Sequence, residues 1–408
     1  MKRLSPQLIF LILNLGSSFL FGLVFSTNIL YYATVIRLSP LELVLVGTAL
    51  ELAILLFEVP TGVVADTISR KISVLIGFAL IGLGFLLEGL IPAFLAVLAA
   101  QVLWGIGYTF TSGATQAWLS DEIGELEANQ LMLRVNVYRF PIRMAIVLSA
   151  LLLANSSLQI PIVVGGLGFM VLSAFLWFAM PETRFKPIPV TRQNAVQSMR
   201  KTLLEAVAFA TKNPTIRLLF LVTIISGAAS ESFDRLWQLH LIRFGLPKLE
   251  LGFLSSVQQQ LLLFLLLDLC IDLVALPFTL WAKRIDMNSI RAITQTLLFT
   301  SSIVIVCISI FAFANGFTVA IIAYILARAC REIQAPLGTA WLNQRLEPST
   351  RATVLSLNGQ ADAIGQIAGG PIVGFLGNKN LRLALLSGAL ILALTLPMYA
   401  RAGKKEAS

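Results

Sequence analysis

The stretches without a charged side chain constrain this chain more than any other feature. Between Arg3 and Arg37 lie 33 consecutive uncharged residues, and between Arg291 and Arg328 lie 36. A helix of about 20 apolar residues already spans the hydrocarbon core of a bilayer. Charged residues make up only 12% of the chain, against about 25% in a soluble domain. The sequence therefore predicts an all-α integral membrane protein.

Charge clusters and Gly, Pro or Asn breaks divide the chain into twelve apolar segments. One long polar stretch, Pro181 to Pro214, separates the sixth segment from the seventh. A helix within it would carry the apolar face Val196, Met199, Leu203 and Val207, which suits the membrane surface. We therefore predict two six-helix bundles, at residues 1–180 and 214–408, joined by a cytoplasmic linker at 181–213.

Lys and Arg are distributed unevenly between alternate loops. With the N-terminus inside, 20 of the 30 basic residues fall on the cytoplasmic side and five fall outside. Membrane proteins place their basic loops in the cytoplasm. The pattern predicts a multi-pass protein of the cytoplasmic (inner) cell membrane with both termini cytoplasmic. It also explains the net charge of +9 without nucleic acid as a partner.

The residues that carry enzyme or metal chemistry are few and scattered. Cys270, Cys307 and Cys330 lie in apolar runs without a CxxC pair, and His240 is the one histidine. Neither a metal-ligand pattern nor a hydrolytic triad can be assembled from them. We predict no enzymatic activity, no metal and no cofactor.

A short motif recurs at matching positions of the two halves. Ala117-Trp118-Leu119 ends the fourth segment, and Ala340-Trp341-Leu342 ends the tenth, 223 residues later. Duplicated halves are typical of carriers that work by alternating access. The repeat favours two pseudo-equivalent bundles.

The loop after the second segment resembles the signature loop of the major facilitator superfamily, Gly-x-x-x-Asp-(Arg/Lys)-x-Gly-(Arg/Lys)-(Arg/Lys). The matching residues are Gly62, Asp66, Arg70 and Lys71. Thr67 replaces a basic residue and Ser69 replaces a glycine. The resemblance implies the twelve-helix fold of that superfamily, with Asp66 and Arg70 stabilising contact between the halves when the cytoplasmic side is closed. Glu58 adjoins the loop, and we expect a gating role for it.

Three further stretches, at residues 112–122, 231–237 and 351–356, are similar to bacterial members related to drug-efflux permeases. One departure concerns the Gly-Pro motif that proton-driven drug antiporters carry in helix five. Here helix five has only Pro141, and a similar pattern, Gly365-x3-Gly369-Gly370-Pro371, falls in helix eleven. The direction of transport therefore does not follow from the resemblance.

The apolar segments contain nine acidic and five basic side chains. An ionisable group at bilayer depth costs about 2.5–3.5 kcal/mol, so each should face a partner or a watery cavity. Carboxylates in excess of cations in such a medium favour the bound proton, as proton coupling requires. The candidates for coupling or for a charge cluster between the halves are Arg139, Arg143, Glu231, Asp234, Asp268, Asp272, Glu332 and Asp362.

Two arrangements are open for these charges. By the superfamily layout helix five packs near helix eight, so Arg139 and Arg143 would meet Asp268 and Asp272 in a cluster that rearranges during transport, or in a static bridge. Local pairs are the alternative elsewhere, because Glu231 with Arg235 and Arg328 with Glu332 are each four residues apart. Glu88 is expected to reach the membrane interface.

The resemblance also implies a substrate cavity lined from helices one, four, seven and ten. Its candidate residues are Asn28, Tyr31, Trp104, Tyr108, Phe233, Trp237, Tyr324 and Arg331. Aromatic rings suit amphipathic molecules. We therefore expect a monomeric secondary transporter that exports small drug-like compounds in exchange for protons. Uptake of a polar metabolite, lipid translocation and a non-transporting receptor or scaffold are the alternatives.

Overall fold

The computed structural model describes residues 4–187, 213–247, 251–252, 254–344, 346 and 348–405. All regular secondary structure in these ranges is helical. The predicted all-α fold class is thus confirmed. The amphipathic face formed by Val196 and its neighbours lies outside the described residues.

Twelve long helical segments follow one another in the described part of the chain. They are α1 Pro6–Ile36, α2 Pro40–Thr67, α3 Arg70–Leu90, α4 Phe94–Ile123, α5 Glu125–Leu153, α6 Gln159–Ala179, α7 Pro214–Arg243, α8 Ser256–Ala282, α9 Ile290–Phe313, α10 Phe317–Asn343, α11 Pro348–Lys379 and α12 Leu381–Gly403. All except α10 and α11 are long and apolar enough to cross a membrane. The two exceptions carry charged residues near their middle.

Local chemistry fixes many of the helix ends. The Ser69 side chain accepts a hydrogen bond from the Ile72 amide at the start of α3, and Asn213 caps α7 ahead of a proline. Gly124 has φ +90, a conformation that glycine adopts without strain, and it separates α4 from α5.

The helices group into two compact units. The first comprises the described residues of Met1–Leu38, Ala49–Gln197 and Leu249–Leu265. In it α3 packs against α4 and α6, and α1 packs against α6. Phe85 and Phe169 are fully buried within this unit.

The second unit comprises the described residues of Ser39–Thr48, Ser198–Lys248 and Leu266–Ser408. Here α7 packs against α11, α9 packs against α10, and α12 contacts α7 and α9. Residues of α2 and of α8 occur in both units. The chain division at 181–213 remains a prediction.

Two glycines bring α11 against the backbone of α7. A Cβ atom placed on Gly369 would lie 2.6 Å from the Ala228 carbonyl oxygen, and one on Gly365 would overlap the Ile224 carbonyl oxygen. Close approach at small residues is how helices pack tightly in membranes. The glycine pattern of helix eleven therefore has a packing role within the second unit.

Candidate functional site

A cavity of about 440 Å³ lies inside the second unit. Helices α7, α9, α10, α11 and α12 all contribute to its wall. Its volume falls within the range of small-molecule sites, about 300–1,000 Å³. The polar residues of the wall are Ser226, Ser230, Glu231, Asp234, Arg235, Ser301, Arg331, Gln334, Asp362, Gln366 and Tyr399.

The central ion pair of this cavity joins α7 to α10. Arg331 Nη1 lies 2.6 Å from Asp234 Oδ1, and Nη2 lies 2.8 Å from Oδ2. This two-pronged geometry is the strongest that an arginine makes with a carboxylate. Arg328 adds a second guanidinium 3.3 Å from Asp234 Oδ1. The group therefore has two positive charges to one negative charge.

The predicted local pair between Arg328 and Glu332 is wrong. Arg328 contacts Asp234 instead, and the Glu332 side chain is exposed. Residue 332 is as near to 328 on the helix surface as 331 is, so helical spacing alone allows either contact. The acid of the neighbouring helix decides the outcome, because Asp234 of α7 contacts both Arg328 and Arg331. The predicted pair of Glu231 and Arg235 is confirmed, with 3.5 Å between Glu231 Oε1 and Arg235 Nε.

Asp362 supplies the remaining carboxylate of the wall. Its Oδ2 accepts a hydrogen bond of 2.8 Å from Gln366 Nε2, one turn further along α11. Among the described residues it makes no ion pair, although its charge acts on Arg331. It is thus a half-buried acid beside an arginine that is already bound to another acid.

An aromatic layer packs against the charged group. The rings of Trp237 and Tyr324 are stacked with centroids 4.2 Å apart, and Phe233 lies 5.4 Å from Tyr324. The Arg331 guanidinium lies 5.9 Å from the Phe233 ring. Of the four predicted substrate residues in this unit, Phe233 and Arg331 line the cavity. Tyr324 packs against Phe233, and Trp237 stacks on Tyr324.

The other four predicted substrate residues belong to the first unit. The hydroxyl of the buried Tyr31 donates a hydrogen bond of 3.0 Å to the Glu88 carbonyl. Trp104 packs in a ring cluster with Phe25 and other phenylalanines. Tyr108 is exposed, and Asn28 begins the second part of α1 after a break at Thr27.

Glu88 does not reach the interface as predicted, because α4 and α6 cover α3 and leave the side chain fully buried. Gln101 Nε2 donates hydrogen bonds of 3.2 Å to both Glu88 Oε2 and the Tyr32 hydroxyl. No cation of the described chain forms an ion pair with it. Sequence reasoning did not identify Gln101 as the partner of Glu88.

The signature loop involves an acid that the motif does not contain. Arg70 Nη1 lies 2.5 Å from Asp121 Oδ2 on α4, whereas its distance to Asp66 Oδ1 is 3.9 Å. Asp66 is exposed, and nothing lies within 4 Å of a Cβ placed on Gly62. Glu58 is half-buried in α2.

The segment after α6 is tied to the same region by carboxylates. Glu182 accepts hydrogen bonds from the Ser69 hydroxyl, at 2.6 Å, and from the Lys71 amide, at 2.9 Å. Glu122 accepts a hydrogen bond of 2.6 Å from the Thr183 amide. The Pro-Glu-Thr sequence thus fastens the start of α3 and the end of α4, a role that the sequence reasoning missed.

Arg139 and Arg143 lie on α5 in the first unit. Asp268 and Asp272 lie on α8 in the second. The proposed cluster of these four residues remains a prediction.

Comparison with known proteins places the fold. No family model matches the chain. It is 25% identical over 343 residues to an uncharacterized MFS-type transporter, YxaM, of Bacillus subtilis (strain 168), covering 82% of this chain and 80% of that protein. The nucleoside transporter NupG superposes with a TM-score of 0.73 at 16% identity, over 98% of this chain and 99% of NupG.

Two further solved structures are similar. The bacterial homologue of the human lysosomal transporter Spinster, inward-facing and unoccupied, gives a TM-score of 0.72 at 13% identity and covers 98% of this chain and 96% of its own. The peptide transporter POT in complex with sulfate gives a TM-score of 0.66 at 14% identity and covers 97% of this chain and 95% of its own. The chain has the major facilitator fold. Its apolar helices and its homologue make it a multi-pass membrane protein.

Proposed function

We propose that this chain is a secondary transporter of the major facilitator type that carries a small polar solute through the cavity of its second unit. The homologous MFS-type transporter and the shared fold support transport in general. One observation supports the specific proposal, namely that one cavity is lined both by the Asp234–Arg331 pair and by Asp362, which makes no ion pair with any described residue.

The wall of the cavity favours a polar substrate. Ser226, Ser230 and Ser301 offer hydroxyl groups, while Gln334 and Gln366 offer amides that both donate and accept hydrogen bonds. Some of these groups already have a protein partner, since the Ser230 hydroxyl donates to the Gly227 carbonyl and Gln366 Nε2 donates to Asp362. Their remaining donors and acceptors are satisfied by a solute with several hydrogen-bonding atoms and not by an apolar one. The similar structures named for nucleosides and for peptides belong to carriers of solutes with this character.

Asp362 is the proposed proton-coupling residue. A carboxylate at this depth is stabilised either by a proton or by a cation. When Asp362 loses its proton, it competes with Asp234 for Arg331, and the two-pronged pair weakens. When Asp362 is protonated, Arg331 returns to Asp234. Proton binding and the position of Arg331 are thereby linked.

Transport by the full chain in proteoliposomes tests this proposal. An imposed pH gradient should drive accumulation of one or more members of a panel of nucleosides and dipeptides. Asp362→Asn should lower gradient-driven accumulation at least about tenfold, which corresponds to about 1.4 kcal/mol, yet retain exchange of labelled for unlabelled solute. Exchange needs no net proton movement.

Glu332→Gln is the matched control. Glu332 is a candidate for coupling from the sequence, but it is exposed on the helix that carries Arg331 and is not among the residues that line the cavity. It should transport like the unaltered protein. If Asp362→Asn keeps the full pH dependence, proton coupling through Asp362 is wrong. If folded protein moves none of the polar solutes, the substrate class is wrong.

The aromatic layer favours a second candidate, export of small amphipathic or drug-like compounds. Phe233 lines the cavity and contacts Arg331 through its ring face. Lipophilic fluorescent cations in the same assay distinguish the two candidates. In both candidates the two predicted bundles rock against each other, and Asp66 and Arg70 of the signature loop stabilise contact between the halves. The proposed transporter is a monomer in the cytoplasmic membrane, with both termini in the cytoplasm.

A further inference from the structure

A second cavity, of about 450 Å³, lies at the other end of the second unit, where α7 and α11 end and α12 begins. We call it the basic pocket. Its side chains include His240, Arg243, Phe244, Lys379, Asn380 and Arg382. None of these residues lines the cavity of the proposed transport site.

The pocket has positive charge, and its wall contains no acidic residue among those that the structure describes. Arg243, Lys379 and Arg382 come from three different helix ends and are all exposed. Within the described ranges, none of them forms an ion pair with a carboxylate. Like charges brought together in this way repel one another, and a bound anion would relieve the repulsion.

Neighbouring groups give the pocket a defined shape. His240 is buried, and its Nε2 donates a hydrogen bond of 3.0 Å to the Phe311 carbonyl, which fixes the ring. Asn380 Oδ1 accepts a hydrogen bond of 2.9 Å from the Arg382 amide and so fixes the start of α12. The positive end of the α12 dipole therefore also lies at the pocket.

The surface next to the pocket suits an acyl chain. Ile372 and Phe375 are exposed on α11 in the two turns before Lys379, whose Nζ lies 4.6 Å from the Phe375 ring centroid. α7 has 30 residues, which at 1.5 Å each exceed the hydrocarbon thickness of about 30 Å. The cations at its far end therefore reach the depth of lipid headgroups.

We propose that the basic pocket binds a phosphate-bearing anion, supplied either by the headgroup of an anionic phospholipid or by free phosphate. Guanidinium groups bind phosphate oxygens through paired hydrogen bonds. The apolar surface beside Lys379 favours the lipid as the source. This site is separate from the transport cavity and does not depend on the transported substrate.

Native mass spectrometry of the delipidated full-length protein tests the site. Phosphatidylglycerol should bind more tightly than phosphatidylcholine, which has no net charge. The double variant Arg243→Gln, Arg382→Gln should weaken phosphatidylglycerol binding roughly 25-fold, since each basic residue near an anionic headgroup contributes about fivefold. Size-exclusion chromatography checks that the double variant is folded. If it is not folded, the single variant Lys379→Gln is tested in its place.

The matched control is Arg284→Gln, Arg401→Gln. Both arginines are exposed. Arg284 precedes Ile285 and Arg401 precedes Ala402, and these two residues pack on the hydrophobic cluster at the opposite end of the unit. The control should bind phosphatidylglycerol within about twofold of the unaltered protein, because headgroup attraction is local.

Inorganic phosphate distinguishes the two sources. A rise in the unfolding temperature with millimolar phosphate in lipid-free detergent, absent in the pocket variant, assigns the site to free phosphate. Phosphatidylglycerol binding without that rise assigns it to the lipid. The proposal is overturned if the two lipids bind equally and phosphate also gives no rise that the pocket variant abolishes. It is likewise overturned if the pocket variant responds to both phosphatidylglycerol and phosphate like the control variant.

Discussion

The Asp234 carboxylate receives two guanidinium groups from one face of α10. Arg331 binds it through two short hydrogen bonds, and Arg328 adds a longer contact. Because α10 presents both arginines toward α7, the acid holds these two helices together inside the membrane. Removal of the acid would leave two positive charges in a medium where an uncompensated charge is costly.

We predict from this that Asp234→Asn lowers the stability of the protein by about 1–3 kcal/mol, since breaking a partly buried pair leaves the arginines uncompensated. Arg331→Lys should cost less, because lysine keeps the charge but loses the planar fork. Thermal unfolding in detergent measures both. Glu332→Gln is the control, and equal unfolding temperatures for Asp234→Asn and this control would contradict the prediction.

Glu88 is the second residue whose setting decides its chemistry. It is fully buried, hydrogen-bonds Gln101, and makes no ion pair within the described chain. A neutral side chain of the same shape satisfies such a site as well as a carboxylate does.

Glu88→Gln is therefore predicted to keep the unfolding temperature or raise it. Glu88→Ala should lower stability by about 1–3 kcal/mol, because it removes one of the two acceptors of Gln101 and opens a cavity. The same unfolding assay compares the two variants. If Glu88→Gln lowered the unfolding temperature as much as Glu88→Ala does, the charged form of Glu88 would be required for stability.

Among the elements, the contact between α7 and α11 depends on glycine more than on any side chain. A Cβ on Gly369 would meet the Ala228 backbone at 2.6 Å, whereas nothing lies within 4 Å of one on Gly359 of the same helix. Backbone atoms cannot rotate aside as a flexible side chain can. The two positions therefore form a matched pair.

Gly369→Ala is predicted to destabilise the protein by about 1–3 kcal/mol through overpacking. Gly359→Ala should be neutral or stabilising by up to about 1 kcal/mol, because alanine favours the helix. Thermal unfolding of the two variants side by side provides the measurement. A lower unfolding temperature for Gly359→Ala than for Gly369→Ala would refute the packing argument.

At the scale of the whole molecule, the distribution of Lys and Arg predicts which membrane face each loop occupies. Gly316, between α9 and α10, should face outside, and Arg401, near the end of α12, should face the cytoplasm. Both positions are exposed, so a cysteine introduced at either one is accessible from its own side.

In intact cells, a membrane-impermeant maleimide should therefore label Gly316→Cys and leave Arg401→Cys unlabelled until the membrane is opened. The natural Cys270 is exposed and should be replaced by alanine in both proteins, while Cys307 and Cys330 are buried. The Cys270→Ala protein without an introduced cysteine gives the background labelling. The reverse labelling pattern would place both termini outside.

Much of the fold follows from the sequence because a membrane helix satisfies its own backbone hydrogen bonds and needs only an apolar run of sufficient length. Such runs predicted all twelve long helices. The aromatic and charged residues of the cavity were also identifiable in part, since Phe233, Asp234 and Arg331 are aromatic or charged residues within long apolar segments. Gln334 and Gln366, one turn from Arg331 and Asp362, carried the same signal and were missed.

The sequence by itself determined the helices, their order and the excess of acids inside the membrane. Only the tertiary structure decided which charge meets which. Arg328 contacts Asp234 rather than Glu332, Arg70 contacts Asp121 more closely than Asp66, and Glu88 is buried. Helix formation depends on neighbours in sequence, whereas each of these contacts depends on which helices pack together and on which side chains share the packed face.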